Sequence, residues 1–252
     1  MVRFHQGVWE GCWFEPSKGG WMIYITGDTH GELETFKLGS KFFPEGKKLT
    51  KNDYVIIVGD FGLVFNQEFT PNEIHWLKWL KTKSWTTLFI DGNHENFDRL
   101  FSDEFPIVPM FGDEVKKIYD DIYYLQRGRV YTIEGKTFFT MGGAPSIDKA
   151  YRIEGVSWWP QEEPSYTEWN NALTKAKEVR RVDYVLTHDC PSFIYDELIY
   201  DGIIRDKQKN SVSKGLKELY YTLEFDKWFF GHFHNDRIYG KFRLLYDEIV
   251  KL

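Results

Sequence analysis

The chain has 252 residues, 42% hydrophobic and 28% charged, an ordinary balance for one sizeable domain with a well-buried core. A net charge of −6 argues against a protein that coats nucleic acid non-specifically, because that binding needs a basic surface. Two cysteines, Cys12 and Cys190, exclude a disulfide framework and fit a reducing compartment, and no apolar run approaches the ~20 residues of a membrane span, so the expected setting is cytoplasmic and not membrane-bound.

Residues 1–21, "MVRFHQGVWEGCWFEPSKGGW", have no clear period and are expected to form an irregular extension, or else a flap that packs Trp9 and Trp13 on the domain. The domain itself is expected over 22–252. Its first strand is predicted at 22–28, "MIYITGD", followed by a helix near 32–43. A second strand at 53–60, "DYVIIVGD", precedes a helix near 72–82. Pro71 and Asn72 mark that helix's start, and Ile74, Leu77 and Leu80 stand at helical spacing. A third strand is "WTTLFIDGN" at 85–93. Residues 122–143 read as hairpins of short strands, and a helix follows at 167–181 with Thr167 as N-cap and a basic last turn. Strand "DYVLTHD" at 183–189, a helix at 212–223, strand "KWFFGHFH" at 227–234 and a C-terminal hairpin complete the chain. Apolar strands alternating with helices predict a single α/β sandwich, with mixed sheets inside and helices outside.

The ends of these strands share a pattern. The first ends in Asp28 and His30, the second in Asp60, the third in Asn93 and His94, a later one in His188, and the last in His232 and His234. Taken singly, a "GD" is a turn and a lone histidine is a capped polar group. Five apolar strands ending this way in one chain are another matter, because the carboxyl ends of strands in open α/β sheets are where ligands bind. Imidazole with carboxylate suits first-row divalent ions, manganese foremost, with iron and zinc as alternatives. Calcium would ask for oxygen alone. A carboxylate has two oxygens, so one Asp is able to bridge two ions about 4 Å apart, a geometry that clamps a phosphate and produces a hydroxide nucleophile near neutral pH.

The ordered set Asp28-x-His30, Gly59-Asp60, Gly92-Asn93-His94-Glu95, His188, Gly231-His232-x-His234 resembles the calcineurin-like metallophosphoesterase superfamily over about residues 22–245. The resemblance implies a four-layer αββα sandwich and two divalent metal ions. It would assign Asp28, His30, Asp60 and His234 to the first ion, and Asp60, Asn93, His188 and His232 to the second. His94 would contact the scissile phosphate and protonate the leaving oxygen. Asp91 and Glu95 are candidates to orient or tune that histidine, with a solvated turn residue the favoured reading of Glu95. The second motif lacks the Asp-Arg-Gly of Ser/Thr protein phosphatases, and Asp91 stands where they carry arginine. The motif order through the middle is closer to lariat debranching enzymes, although those often carry cysteine at the position of Asp28 and have a C-terminal extension absent here.

Residues 144–168, "APSIDKAYRIEGVSWWPQEEPSYTE", are expected to form a recognition insertion over the site. Lys149 and Arg152 are its candidate phosphate-gripping residues. Trp158 and Trp159 are able to stack on a base or to pin the loop. The expected partner is a phosphate ester, with nucleotides and nucleic acid among the candidates. A phosphodiesterase is expected first, a phosphomonoesterase second, and a non-catalytic scaffold last, because all eight inner positions are intact.

Overall fold

The computed structural model describes residues 20–206 and 210–252, so the extension expected at the N-terminus falls, up to residue 19, outside the described residues. In chain order the strands are β1 (Ile23–Thr26), β2 (Tyr54–Val58), β3 (Thr86–Ile90), β4 (Ile107–Met110), β5 (Asp113–Tyr119), β6 (Ile122–Leu125), β7 (Arg129–Ile133), β8 (Lys136–Met141), β9 (Arg181–Thr187), β10 (Glu224–Phe230), β11 (Arg237–Tyr239), β12 (Phe242–Leu244) and β13 (Ile249–Lys251). The helices are α1 (Pro71–Lys81), α2 (Phe97–Leu100), α3 (Tyr166–Val179), α4 (Ile194–Tyr200) and α5 (Ser211–Thr222). The strands build two sheets, ordered β13-β1-β2-β3-β6-β5-β4 and β11-β12-β10-β9-β8-β7. Strands β1, β2, β3 and β6 run parallel, as do β12, β10, β9 and β8, and antiparallel strands close the edges.

Successive strand residues face opposite sides, and here both sides are covered, which is why the strands are apolar without alternation. Ile25, Ile56, Val58 and Ile90 meet Phe138, Leu186 and Phe229 of the other sheet in the central core. Their neighbours Tyr24, Val55, Ile57 and Phe89 turn outward onto Leu77 and Leu80 of α1. On the far side Phe139, Val185 and Phe230 pack with Ala172 and Ala176 of α3 and Leu216 and Leu219 of α5. The result is the four-layer αββα sandwich that the motif set implied. No described helix is long and apolar enough to cross a membrane.

Several elements differ from expectation. Near 32–43 there is no α-helix but two 3-10 turns, Thr35–Leu38 and Pro44–Lys48. Gly39 leaves the first turn in an extended conformation, and Pro44 restarts the chain. Helix α1 begins at Pro71 under a reciprocal cap, Glu73 N donating to Thr70 Oγ1 at 3.1 Å and Thr70 N to Glu73 Oε2 at 2.8 Å. The same box, Ser165 with Glu168, starts α3, so Thr167 lies inside the first turn and is not the cap. Arg180 leaves α3 at φ 60°, and Arg181 already belongs to β9. Residues 122–143 are not all hairpins: β7 and β8 pair antiparallel, while β6 lies parallel to β3 in the other sheet. Likewise β11 and β12 form the expected hairpin, but β13 crosses to pair with β1.

Candidate metal centre

The carboxyl ends of β1, β2 and β3 in one sheet and of β9 and β10 in the other open onto one place. Three overlapping groups form there: Asp28, His30 and His234; His30, Asp60 and His94; Asp28, Asp60 and His188. Within each group the ligand-type atoms lie within 4.8 Å of one another. Asp60 is central. Its Oδ2 stands 3.2 Å from His30 Nε2 and 3.3 Å from His188 Nε2, while its Oδ1 accepts Asn93 N at 2.7 Å and His94 N at 2.8 Å. His234 Nε2 stands 3.3 Å from Asp28 Oδ2, and His232 N donates to Asp28 Oδ1 at 3.1 Å.

Each side chain is turned so that a lone pair faces inward. His188 Nδ1 lies 2.8 Å from the Val58 carbonyl, which only accepts, so Nδ1 carries the proton and Nε2 is left bare. Asn93 Nδ2 donates to Ser146 Oγ at 3.2 Å, which turns Oδ1 the other way; Ser146 Oγ in turn donates to Glu162 Oε2 at 2.7 Å. His30 Nδ1 is held by Glu34 Oε2 at 3.0 Å, and Tyr246 Oη donates to the other Glu34 oxygen at 3.0 Å while its ring stacks on His234. Asp28 Oδ2, Asn93 Oδ1 and His188 Nε2 are buried with no hydrogen-bond partner. Three buried acceptor atoms without donors are costly in a folded protein, and mixed nitrogen and oxygen donors of this kind fit a divalent cation.

The glycines before the motif residues now have a reason. A Cβ at Gly59 would collide with the His188 ring, one at Gly92 with the Asp60 carboxylate, and one at Gly231 with the Asp28 carboxylate. Each strand end gives up its own side chain to seat that of a neighbour. The backbone is also strained here: His30, Asp60, His232 and His234 all have positive φ, four of the eight such non-glycine residues among those described.

Charge follows the geometry. Burial works against protonation of His188, but Asp60 and Asp28 overcome it and raise it to about 10; Asp60 likewise lifts His30 to about 9 against its burial. His232, buried and beside His188, is pushed down to about 3. Burial also lowers His94, with His30 and Arg152 acting in the same direction against Asp60. Asp60 is held well below the usual carboxylate range despite its burial, through His188 first and His94 next. Asp28 and Asp60 stay ionised and His232 neutral, as a cation asks of its ligands, and the protons these carboxylates draw onto His188 and His30 are ones a bound cation would displace.

The residues expected to surround this cluster fall in several places. Arg152 reaches it, Nη2 at 3.4 Å from His94 Nε2, braced by Asp148 at 2.7 Å and the Ser157 carbonyl at 3.2 Å. Lys149 does not, since its Nζ is engaged by Glu162 at 2.9 Å and Glu163 at 2.6 Å. Trp159 is buried and donates to Asp98, so it pins the insertion. Asp91 touches no histidine; it pairs with Arg127. Glu95 is not a solvated turn residue. It is fully buried and accepts Phe61 N at 2.7 Å and Gly92 N at 2.8 Å, tying the ends of β2 and β3 together. Burial, reinforced by Asp60 and Asp91, raises its carboxyl to about 8. Lys37 escaped notice altogether: its buried ammonium donates to the carbonyls of Gly27, Asp28 and Tyr246 and fixes the β1 loop. The i, i+4 spacing of His30 and Glu34 was the one local signal for the groups that brace the cluster.

Among solved structures the chain is similar to the GAP50 anchor in the inner membrane complex of Plasmodium, at 10% identity over 90% of this chain and 71% of that one, with a TM-score of 0.45. It is also similar to the Thermus thermophilus sulfate thiohydrolase SoxB in complex with glycerol, at 11% identity over 93% of this chain and 53% of that one, with a TM-score of 0.38. A further structure aligns over 89% of both chains at 12% identity and a TM-score of 0.49. No curated protein matches the sequence. Likenesses this distant leave the assignment to the sequence family, and residues 22–236, which carry the carboxylates, the asparagine and the histidines gathered at the strand ends, match the calcineurin-like phosphoesterases: the chain belongs to that family.

Proposed function

We propose that the chain is a metal-dependent phosphoesterase, acting first on phosphodiesters, with two divalent ions, manganese foremost and iron or zinc as alternatives. The observation that carries this reading is the set of three unpartnered buried acceptors, Asp28 Oδ2, Asn93 Oδ1 and His188 Nε2, inside a ring of imidazoles and carboxylates. Asp28, His30, Asp60 and His234 would hold one ion, and Asp60, Asn93, His188 and His232 the other. Bound there, the ions would supply Lewis-acid charge and acidify the attacking water. Asp60 would hold ions of this kind through Oδ2, which faces His30 and His188, while its Oδ1 is locked by the N–H groups of Asn93 and His94. His94 delivers a proton to the departing oxygen. Arg152, already braced by Asp148, takes a phosphate oxygen and holds the ester against His94.

Two separate recesses bordering the cluster favour a diester, whose phosphorus carries two ester groups. One recess of about 210 Å³ is bordered by His30 and Phe65, and another of about 240 Å³ by His232 and His234. They share no lining residue. A monoesterase is the second reading, favoured by the Arg152 guanidinium, which suits the extra charge of a monoester. Nucleotides and nucleic acid remain among the esters considered, and the setting inferred from two cysteines is cytoplasmic.

His94→Asn tests this assignment. The variant is expected to keep its metal and to lose about 10²–10⁴-fold in kcat/KM on alkyl phosphate esters. The loss on nitrophenyl esters should be smaller, since a stable anion leaves without a proton. Equal losses across leaving groups, or loss of an ion, would remove His94 from the role of acid. Arg152→Ala should raise KM roughly tenfold, the cost of one charge-assisted hydrogen bond, with metal content unchanged. Parent-like kinetics would make Arg152 a surface residue.

A further inference from the structure

The recess beside His232 and His234 is unlike the rest of the candidate centre. Besides those two imidazoles it is lined by Ile147, Tyr195, Ile203, Ile204 and Phe233. The tyrosine offers no free polar group, because its hydroxyl meets the Asp189 carboxylate at 2.9 and 3.0 Å and accepts from Asn210 at 2.8 Å. Phe233 lies edge-on against Tyr195 and His232, at 5.6 and 4.9 Å between ring centres. Of the two imidazoles, His234 has its Nε2 engaged by Asp28 Oδ2 at 3.3 Å, and the other five lining residues present hydrocarbon or aromatic surface. At about 240 Å³ it is smaller than the ~300–1,000 Å³ pockets that enclose a whole drug-sized ligand, and suits one substituent. Ile147, at its mouth, is 74% exposed, an apolar side chain of the insertion with no cover of its own.

Resting on the phosphoesterase reading above, we propose that this recess receives an uncharged aromatic ring carried by the phosphate ester, making Ile147, Ile203, Ile204 and Phe233 specificity-determining residues. A sugar or a carboxylate would lose hydration against Ile147, Ile203, Ile204 and Phe233, which offer it no hydrogen bond. A hydrocarbon ring loses nothing and covers Ile147. Because two of the lining residues are the histidines of the Gly-His-x-His motif, the recess adjoins the candidate centre.

Calorimetry on the Mn²⁺-saturated chain with methyl-, phenyl- and benzylphosphonate reads the recess without requiring turnover. At least one aryl phosphonate is expected to bind about tenfold or more tightly than methylphosphonate, from the apolar surface of one ring removed from water. Ile147→Ala and Ile204→Ala should each cut that ratio to about threefold or less. Ile147 is too exposed for its truncation to threaten folding. Equal affinity for the three phosphonates in the parent, or a ratio that survives both substitutions, would overturn the proposal. Aryl preference in a chain that hydrolyses no ester would uphold the recess and retire the phosphoesterase reading; hydrolysis without aryl preference would do the reverse.

Discussion

Replacing Asp60 by asparagine is expected to remove both ions and to lower kcat/KM on p-nitrophenyl esters by more than about 10²-fold, beyond the 10–100-fold typical of losing a group that only supports a ligand. The substitution is isosteric, so the cost is chemical. Asp60 spends one oxygen on the N–H groups of Asn93 and His94 and points the other at His30 and His188. An asparagine has only one oxygen. Facing it to the two N–H groups turns its NH₂ towards the cations; flipping it sets NH₂ against two backbone donors. Neither orientation satisfies both sides. His30→Gln should be milder, because His30 would touch one ion and its amide oxygen remains a ligand. Elemental analysis and kcat/KM, measured together, check this. Equal metal content and equal residual activity in the two variants would deny Asp60 the bridging role.

Asp91→Ala is expected to destabilise the fold by about 3–5 kcal/mol, the cost of leaving a buried charge without its partner. For a domain of this size that is a fall in Tm of roughly 6–20 °C. Arg127 Nε and Nη2 approach Asp91 at 2.8 and 2.5 Å, and Tyr124 Oη donates to the same carboxylate at 2.8 Å. Arg127 also donates to the Gln161 carbonyl and pairs with Glu168, so the network ties β3 to the insertion and to the first turn of α3. Asp91→Ala leaves the guanidinium, beside the rings of Phe97 and Phe101, without its buried carboxylate and with only the part-exposed Glu168 and the Gln161 carbonyl to answer it. Adding Arg127→Met should restore part of the loss, since an apolar side chain needs no partner. Thermal or urea unfolding of the single and double variants measures both. A drop below about 1 kcal/mol, or a double variant worse than the single, would mean that the pair is not the anchor described here.

What the sequence disclosed and what it hid divide along one line. The strand ends were legible because each polar cluster closes an apolar run, a local change of pattern around Asp28, Asp60, Asn93, His188 and His232. The layers were legible because strands covered on both faces cannot alternate. Partners far apart in the chain were not. Tyr246 meets Glu34 across 212 residues, and Lys37 reaches the Tyr246 carbonyl across 209. Nothing near Asp91 announces Arg127, so its sequence neighbourhood couples Asp91 to His94, three residues on. Glu95 looked like a turn residue because its three acceptor contacts are to backbone N–H groups that carry no sequence signature. The helix near 32–43 failed for a local reason that was visible, Gly39 and Pro44 within one short stretch.

The two sheets contribute unequally to the centre. The sheet holding β1, β2 and β3 brings every carboxylate, the asparagine, His30 and His94; the sheet holding β9 and β10 brings imidazole alone, from His188, His232 and His234. Neither half is able to chelate as proposed without the other. A divalent ion seated across the seam would act as a rivet between two slabs held otherwise by a greasy, non-directional core and a few hydrogen bonds such as His188 Nδ1 to the Val58 carbonyl. Sliding one slab over the other by an ångström would leave the central core nearly as well buried but would pull nitrogen away from oxygen at the rim. Metal occupancy in this architecture thus reports the alignment of the slabs, and chelation should register as lost rigidity at the seam before it registers as lost fold.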